Sequence, residues 1–159
     1  MAKKSDKKSF IRLALERDVG LRDVSNSYKL YRQAIGNPKY WATKFDELVK
    51  EKRLLLVRID GKPNGFFYFS LDFIGHPSAY VELVFVSKVN RNLGIARQLF
   101  AKVEKIAAAE GYSKIFSSTN PSNRISLNMH RKFGYKRCGS IYGIETPTSR
   151  EIFFSKTLK

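Results

Sequence analysis

The clearest hydrophobic pattern in the chain is a strand-like run followed by a long helical repeat. Residues 80–86 are mostly β-branched, aromatic or aliphatic, which is typical of a buried strand. After a polar turn, apolar side chains recur at the spacing of one helical face, at Ile95, Leu99, Val103 and Ile106. Gly111 follows this repeat as a helix stop would. The pattern therefore predicts a strand over 80–86 and a helix over 94–110.

Shorter patterns on both sides complete the expected element order. Before residue 80, they predict a strand over 10–15, helices over 18–31 and 40–50, and a hairpin of strands 54–59 and 66–73. After residue 110, they predict a strand over 114–118, a helix over 123–132, and strands near 135–143 and 150–157. Hairpins with one strand–helix crossover, around helix 94–110, predict an α+β fold with a largely antiparallel sheet.

Length and composition narrow the class of protein. A chain of 159 residues suits one domain, which we place at 9–159, after a flexible basic tail at 1–8. That tail has no apolar segment after it, so it does not resemble a secretory signal, and no apolar run is long enough to span a membrane. We expect a cytoplasmic protein. Cys138, the single cysteine, is expected to be a buried structural thiol.

The formal net charge of +16 favours an acidic partner. Nucleic acid, an anionic membrane, an acidic protein and a polyphosphate cofactor all fit that charge, and so does a general basic bias that serves only solubility. The basic residues are dispersed and form no RNA-binding signature. Such a charge also repels polycations at long range, which argues against polyamine and aminoglycoside ligands. We expect no membrane partner, and either a monomer or a homodimer.

The turn of residues 91–96, called the phosphate loop below, is the strongest candidate for chemistry. Its sequence is Arg91-Asn92-Leu93-Gly94-Ile95-Ala96. A helix that starts after a strand directs backbone N–H groups and its positive dipole end at one point, which suits a phosphate or pyrophosphate. Arg91 can add a charge-assisted bond, and Gly94 allows close approach. The alternative is an ordinary turn, in which Gly94 relieves strain and Arg91 is solvated.

A second segment, residues 123–135, supports a functional interpretation of the phosphate loop. Residues 123–135 read as an Asn that opens a short helix ending in the pair Gly134-Tyr135. Together, residues 81–135 resemble the GCN5-related N-acetyltransferase (GNAT) family. The resemblance implies a mixed, largely antiparallel twisted sheet with helices on both faces. It also implies acetyl-CoA as co-substrate, and direct transfer of the acetyl group to a primary amine within a ternary complex.

The resemblance also implies how acetyl-CoA would be held. Backbone groups of three strand residues would bind the thioester carbonyl and pantetheine: Val84, Phe85 and Val86. The pyrophosphate would rest on the amides of Leu93, Gly94, Ile95 and Ala96, with Arg91 and Asn92 assisting. Asn123 matches the family asparagine that contacts the pantetheine arm. Asn123 is equally suited to be a helix N-cap, and the two roles are compatible.

Glu82 is the candidate general base for the acceptor amine, directly or through water. A carboxylate in an otherwise apolar strand is costly unless it is paired or functional, and burial raises the pKa of such a group. The alternative is a surface carboxylate that pairs with a neighbouring Lys or Arg. Some family members carry the carboxylate two residues earlier, where this chain has Tyr80, and base catalysis is not obligatory in the family.

His130 stands where the family commonly has a tyrosine that protonates the departing thiolate. Three interpretations are open. His130 acts as the acid, since a nearby phosphate or Glu82 would raise its pKa; it only hydrogen-bonds the cofactor sulfur; or it is structural. In the third case Tyr135, Tyr142 or solvent supplies the proton. We rank the first two together above the third.

Other functional classes are weaker. The two histidines and one cysteine lie too far apart in sequence to predict a metal site. The acceptor is a small-molecule or a peptide or protein amine, and the N-terminal part with its many aromatic residues is expected to bind it. The alternative from another class is a non-catalytic acyl-CoA-binding or nucleic-acid-associated module, which the net charge and the histidine at position 130 motivate.

Overall fold

A computed structural model of the chain describes residues 15–16, 47, 51, 53–59, 62–144 and 146–159. Within these residues the chain forms seven strands and two complete α-helices. The strands are β1 (Leu15–Glu16), β2 (Leu54–Ile59), β3 (Lys62–Ser70), β4 (Ala79–Val86), β5 (Lys114–Thr119), β6 (Lys136–Tyr142) and β7 (Arg150–Thr157). The helices are α1 (Ile95–Ala109) and α2 (Arg124–Lys132), and a 3₁₀ turn covers Lys88–Asn90.

The elements predicted for the second half of the chain are confirmed to within one residue at either end. Helix 94–110 is observed as Ile95–Ala109, and strand 150–157 has the predicted bounds. The periodic apolar face of α1 is buried as expected, with Leu99 and Val103 fully inaccessible. Strong periodicity and a glycine stop define an element well because burial of that face stabilises the helix.

The predictions for the N-terminal third fall largely outside the described residues. The tail at 1–8 and the helix at 18–31 lie wholly outside them. Of the strand predicted at 10–15 only the last residue is described, and it pairs with Val57 as part of β1. Of the helix predicted at 40–50 only Glu47 is described, and it is helical, with the Glu51 N–H bonded to its carbonyl at 3.0 Å.

The second strand of the N-terminal hairpin was predicted at the wrong position. The hydrophobic run suggested 66–73, whereas β3 begins at Lys62 and ends at Ser70. Ile59 already pairs with Lys62, so only the Asp-Gly dipeptide at 60–61 separates β2 from β3. Asp-Gly is a strong signal for a two-residue hairpin, and Pro63 is tolerated beside the register shift at Val57/Arg58.

The chain divides into two compact units. The first comprises Met1–Phe69 and Leu83–Phe100, and the second comprises Ser70–Glu82 and Ala101–Lys159. Residues of β4 and α1 therefore contribute to both units. The prediction of a single domain over 9–159 stays a prediction.

In the first unit the strand order is β1-β2-β3-β4. β1 and β3 pair antiparallel with β2. Every residue from Leu54 to Val57 and from Phe66 to Phe69 is buried, so β2 and β3 are covered on both faces. The ring of Phe67 meets that of Phe100 edge-on at 5.0 Å, and burying a side chain of this size stabilises the fold by about 1.5–3 kcal/mol.

In the second unit the strand order is β4-β5-β7-β6. β4 runs parallel to β5, whereas β7 is antiparallel to both β5 and β6. The predicted α+β class with a mixed, largely antiparallel sheet is thus confirmed. Cys138 was expected to be buried but is exposed, because it lies at a register shift in β6, a strand that pairs on one side only.

Candidate active site

The phosphate loop lies between the end of β4 and the start of α1, as predicted. The first hydrogen bond that closes α1 runs from the Gln98 N–H to the Gly94 carbonyl at 3.2 Å. The amides of Ile95 and Ala96 therefore precede the first bond of the helix and point outward from its N-terminus. With the helix dipole behind them, these amides form a site for an anionic group.

Two left-handed residues shape the loop. Asn92 has φ +63° and Gly94 has φ +81°. Asn tolerates this conformation better than most residues, and Gly adopts it without steric cost. A Cβ added at Gly94 would meet no atom within 4 Å, so the space beside its backbone is open to a ligand. Glycine is required here by conformation, and the open space is a consequence that a phosphate group can use.

Arg91 bends back toward β4. Its Nε–H donates to the Val86 carbonyl at 3.0 Å, which closes the turn, and its side chain is otherwise exposed. One side of the guanidinium is therefore held by the protein. The two terminal amino groups belong to an exposed residue and can bind a phosphate oxygen.

A buried polar cluster that the sequence interpretation missed anchors the loop from below. The side-chain NH₂ group of Asn90 donates to Asn64 Oδ1 at 2.8 Å and to Ser87 Oγ at 3.0 Å. The Ser87 N–H donates to the Asn64 carbonyl at 2.8 Å. Asn90 is only 9% exposed, so its hydrogen bonds replace contacts with water. Asn64 lies in the segment that was predicted to be a turn, which hid its role.

β3 also fixes the end of β4 through Gly65. A Cβ at Gly65 would lie 2.6 Å from the Phe85 carbonyl oxygen, which leaves no room for any side chain there. On one side of this contact Asn64 meets Ser87, and on the other Phe66 stacks on Phe85 at 5.4 Å. β3 and β4 therefore run in opposite directions with their backbones in close approach.

The resemblance assigned three residues of β4 to the cofactor, Val84, Phe85 and Val86. Their main-chain groups do not all face the same edge of the strand. Ser87 directs its N–H toward β3, and alternation along a strand directs the main chain of Phe85 the same way. Val84 and Val86 then present their main-chain groups to the opposite edge. The ladder between β4 and β5 comprises three pairs and ends at Val81↔Ser117, so Val84 and Val86 lie beyond it. Their backbone groups suit an extended ligand such as pantetheine.

Glu82 and Tyr80 lie on one face of the second unit. Tyr80 pairs with Phe116, and its hydroxyl group lies 2.9 Å from Ser118 Oγ. Glu82 is two residues further along β4, so its half-buried side chain projects from the same face. Burial raises the pKa of the Tyr80 phenol, and the nearby carboxylates of Glu151 and Glu82 raise it further, while the bond to Ser118 opposes them. Both carboxylates are therefore within electrostatic reach of the phenol.

His130 lies on the opposite face and is only 1% exposed. Its Nδ1–H donates to the Ser126 carbonyl at 2.8 Å, because that carbonyl can only accept. Nε2 then accepts from Ser117 Oγ at 2.9 Å, and the ring stacks on Phe154 at 4.5 Å. Since Ser117 alternates with Ser118 along β5, His130 and Glu82 project from different faces of the sheet.

The electrostatics of His130 differ from the expectation that a phosphate or Glu82 would raise its pKa. Burial lowers the pKa of His130 below its usual 6.5, and the bond to the Ser126 carbonyl only partly opposes this. A neutral ring with both nitrogens hydrogen-bonded inside the protein fits the third interpretation, a structural histidine. The bonds from His130 connect α2 to β5.

The other proposed proton sources differ in accessibility. The Tyr135 hydroxyl donates to Glu104 Oε1 at 3.1 Å, and burial together with that carboxylate raises the pKa of Tyr135 far above its usual value. Tyr135 is therefore a buried structural donor. Tyr142 is exposed, and the Arg150 guanidinium lies over its ring at 5.3 Å.

Asn123 is observed as the N-cap of α2. Its side-chain oxygen accepts from the Ser126 N–H at 3.1 Å. The cap uses the carbonyl oxygen, and the side-chain NH₂ group is a separate donor on an exposed residue. The predicted contact with a pantetheine arm is compatible with this geometry and stays a prediction.

Among the residues that the structure describes, no group of three or more His, Cys, Asp or Glu side chains could hold a metal ion. No helix in the described part of the chain has the length and apolar character needed to cross a membrane.

The chain is similar to known proteins in sequence and in fold. Residues 21–135 match the family model described as "Acetyltransferase (GNAT) family". An aminoglycoside N(6')-acetyltransferase type 1 from Salmonella typhimurium strain LT2 is 31% identical over 80 residues, which cover 50% of this chain and 48% of the relative. The chain thus spans about half the length of the curated relatives it matches.

Solved structures show the same architecture. A GNAT-family acetyltransferase from Bacillus cereus superposes with a TM-score of 0.76 at 23% identity, covering 89% of this chain and 95% of the other. An aminoglycoside 6'-N-acetyltransferase complexed with coenzyme A has a TM-score of 0.72 at 15% identity, covering 86% and 91%. At these identities the likeness shows the fold alone.

Proposed function

Because the chain belongs to the acetyltransferase (GNAT) family, we propose that it transfers the acetyl group of acetyl-CoA to a primary amine on a small molecule. The amine nitrogen attacks the thioester carbonyl, the carbon–sulfur bond breaks, and coenzyme A departs as the thiol. The proton lost by the amine and the proton gained by the sulfur balance the reaction. The single observation that carries the proposal is the phosphate loop, a backbone-built anion site at a helix N-terminus within the matched family region.

Acetyl-CoA binding would divide between two kinds of contact. The pyrophosphate would accept from the amides of Ile95 and Ala96, with Arg91 supplying charge from the exposed side of the loop. The pantetheine amides would pair with the main-chain groups of Val84 and with the Val86 N–H, like an added strand, because the Val86 carbonyl already accepts from Arg91 Nε. Both groups of contacts use main-chain geometry, so they depend on the position of the loop more than on side-chain identity.

Glu82 is the residue that we propose as general base. The acceptor amine is protonated at neutral pH and attacks only after it loses a proton, so a carboxylate near it is useful directly or through water. Glu82 is half-buried and precedes Val84 by two residues on β4, the strand that would hold the thioester. The buried hydrogen bonds of His130 support a positioning role for that residue, and the thiolate would then take its proton from solvent or from another group.

The acceptor is proposed from chemistry and from the relatives. Aminoglycosides, the substrates named for the Salmonella relative, are ring compounds with several amino groups, and they are the first acceptors to test. The net charge of +16 argued against them at long range. Glu82 and Glu151 make the face around Tyr80 locally acidic, which offsets that argument.

Two measurements test the cofactor and the chemistry separately. Thermal unfolding with acetyl-CoA at ~100 times its Kd should show a stabilisation of about 2.7 kcal/mol, and ATP should have little effect. A thiol-release assay with an amine panel then reports turnover. Glu82→Gln should lower kcat by about 10²–10⁴-fold with acetyl-CoA binding unchanged. Glu110→Gln, which removes an exposed carboxylate after α1, is the matched control.

The outcomes discriminate among the possibilities. No acetyl-CoA shift at low salt would overturn the cofactor assignment and with it the proposed function. A shift without thiol release from any amine would favour a non-catalytic acyl-CoA-binding module. The net charge favours one further candidate, a nucleic-acid-associated protein, and strongly salt-dependent RNA or DNA binding without thioester turnover would select it.

A further inference from the structure

Resting on the function proposed above, we propose that the acceptor is a ring-bearing amine with a second ammonium group, and that Glu151 binds this second group while Glu82 faces the reacting amine. The inference names a specificity-determining residue, Glu151, that the sequence motifs did not indicate. It concerns one face of the second unit, whose residues all belong to β4, β5, β7 and the turn before β4.

Strand register places both carboxylates on the same face of the sheet. Tyr80 lies opposite Phe116, and Ser118 lies opposite Phe153. Glu82 is two residues from Tyr80 and Glu151 is two residues from Phe153, so both project to the side on which these rings lie. β4 and β7 are the two neighbours of β5, which puts the strands about 9–10 Å apart. When the two ladders are continued, Glu82 lies level with Ser118 and Glu151 level with Asn120, so the carboxylates are also offset by about 6–7 Å along the strands. The resulting diagonal suits a ring with an ammonium group at each end.

Four rings between and beside the carboxylates form what we call the aromatic face: Phe73, Tyr80, Phe116 and Phe153. Phe73 stacks on Tyr80 at 4.5 Å between ring centroids and lies 5.0 Å from Phe116 and 5.9 Å from Phe153. Three of the rings are half-buried, and Phe153 is 9% exposed. Partly accessible rings next to carboxylates are typical of a binding surface for an organic cation, since aromatic faces attract positive charge.

A strained turn holds one edge of the aromatic face. Phe73 and His76 exchange two backbone hydrogen bonds, at 3.0 and 3.1 Å, around Ile74 and Gly75. Ile74 has φ +58°, which is unfavourable for a β-branched residue, and its side chain is 72% exposed. Backbone strain in an exposed apolar residue such as Ile74 is typical of a ligand-binding site. Here the turn fixes Phe73 on Tyr80 and presents an apolar rim.

The local charge differs from that of the whole chain. Burial raises the pKa of Tyr80 first, and the carboxylates of Glu151 and Glu82 contribute further, which places both within electrostatic reach of the aromatic face. Charges beyond about 10 Å are largely screened at physiological salt, so these two carboxylates act on a bound cation more strongly than distant basic residues do. A carboxylate has about four lone-pair sites, so a protein partner leaves room for an ammonium group.

The test compares two amines that differ only in the second ammonium group, 1,4-bis(aminomethyl)benzene and 4-methylbenzylamine. Binding is measured by calorimetry in the presence of CoA, and turnover by thiol release from acetyl-CoA. We expect the wild-type protein to prefer the diamine about ten- to hundredfold in Kd. Glu151→Gln should abolish this preference with the monoamine unaffected. Phe73→Leu should weaken both amines equally, and Glu110→Gln should change neither.

The outcomes separate this inference from the proposed function. If the wild-type protein binds the two amines equally, or binds neither, the inference is overturned. Turnover of the monoamine would then still support an N-acetyltransferase. If Glu151→Gln weakens both amines alike, Glu151 is structural and the inference fails. If the diamine is preferred but no thiol is released, the binding site stands and the proposed chemistry fails.

Discussion

The phosphate loop and the neighbourhood of His130 differ in how their residues act. In the loop, the proposed anion site rests on backbone geometry, with Gly94 in a left-handed conformation and the amides of Ile95 and Ala96 directed outward. Around His130, the local structure rests on side-chain contacts within the second unit, where its ring bonds to Ser117 and Ser126. Sites built from main-chain groups can be predicted from a sequence, because a glycine and the periodicity of the flanking elements indicate where they lie. Networks of side-chain hydrogen bonds cannot be predicted in this way, because the bonded residues are distant in sequence.

The largest effect is expected from a substitution that distorts the main chain of the phosphate loop. Gly94→Val forces a β-branched residue to φ +81° and fills the open space beside the loop, so CoA affinity should fall about 100-fold or more. Gly111→Val is the matched control, since Gly111 has φ +87° and open space as well but lies after α1. Calorimetric titration with CoA measures both. Equal losses in the two variants would mean that strain, and not the site, controls affinity.

The next effect tests the polar cluster that carries the loop. Asn90→Ala removes the NH₂ donor to Asn64 Oδ1 and Ser87 Oγ, and the bond from Ser87 Oγ to Asn64 Oδ1 that remains is longer, at 3.4 Å. The change should cost about 1–3 kcal/mol of stability and weaken CoA binding. Asn128→Ala removes an exposed amide that bonds Arg131 and should change stability little. Urea unfolding measures the free energies. An unchanged CoA affinity in a destabilised Asn90→Ala protein would show that the cluster does not position the loop.

His130→Phe tests whether the side-chain contacts of His130 serve stability or catalysis. The variant keeps a ring against Phe154 but loses both hydrogen bonds, so we expect a loss of about 1–2 kcal/mol at neutral pH and less than about a tenfold change in kcat. An acid catalyst at this position would instead cost about 10²–10⁴-fold in kcat, with a changed pH profile. Steady-state kinetics over a range of pH decide between these outcomes.

Burial of His130 also predicts a pH dependence of stability. The pKa of this residue is lower in the folded protein than its unfolded value of 6.5, so the unfolded chain binds more protons at low pH. The contribution is complete above about pH 6.5 and is lost as pH falls through the folded pKa. The free energy of unfolding of the wild-type protein should therefore fall more steeply than that of His130→Phe between pH 7 and 5. Parallel curves would contradict a buried neutral histidine.

The smallest effect concerns the network at Glu104. Tyr135→Phe removes one bond to Glu104, which still accepts from Lys156 Nζ at 2.7 Å. The expected loss is about 0.5–1.5 kcal/mol with no change in CoA affinity or kcat. Thermal unfolding and kinetics measure these quantities. A large loss of kcat would return Tyr135 to consideration as the proton donor.

The sequence by itself determined most of the described elements and the place of the phosphate loop between a strand and a helix. Periodicity predicted α1 and every element after it to within one residue, because a buried face must repeat at 3.6 or 2 residues. The place of the phosphate loop was predicted because a strand-like run precedes it and a helical repeat follows it. Its role as an anion site stays a prediction, since an ordinary turn has the same sequence pattern. β3 was misplaced because only residues 60 and 61 separate it from β2, whereas the hydrophobic pattern suggested a longer connection.

Only the tertiary structure decided what the side chains do. It buried His130 between Ser117 and Phe154, on the face opposite Glu82, and so reversed the expected direction of its pKa shift. It joined Asn64 to Asn90, and it gathered the aromatic face from residues up to 80 positions apart, Phe73 to Phe153. Burial and long-range pairing set these properties, and both depend on which strands lie side by side, which no local pattern contains.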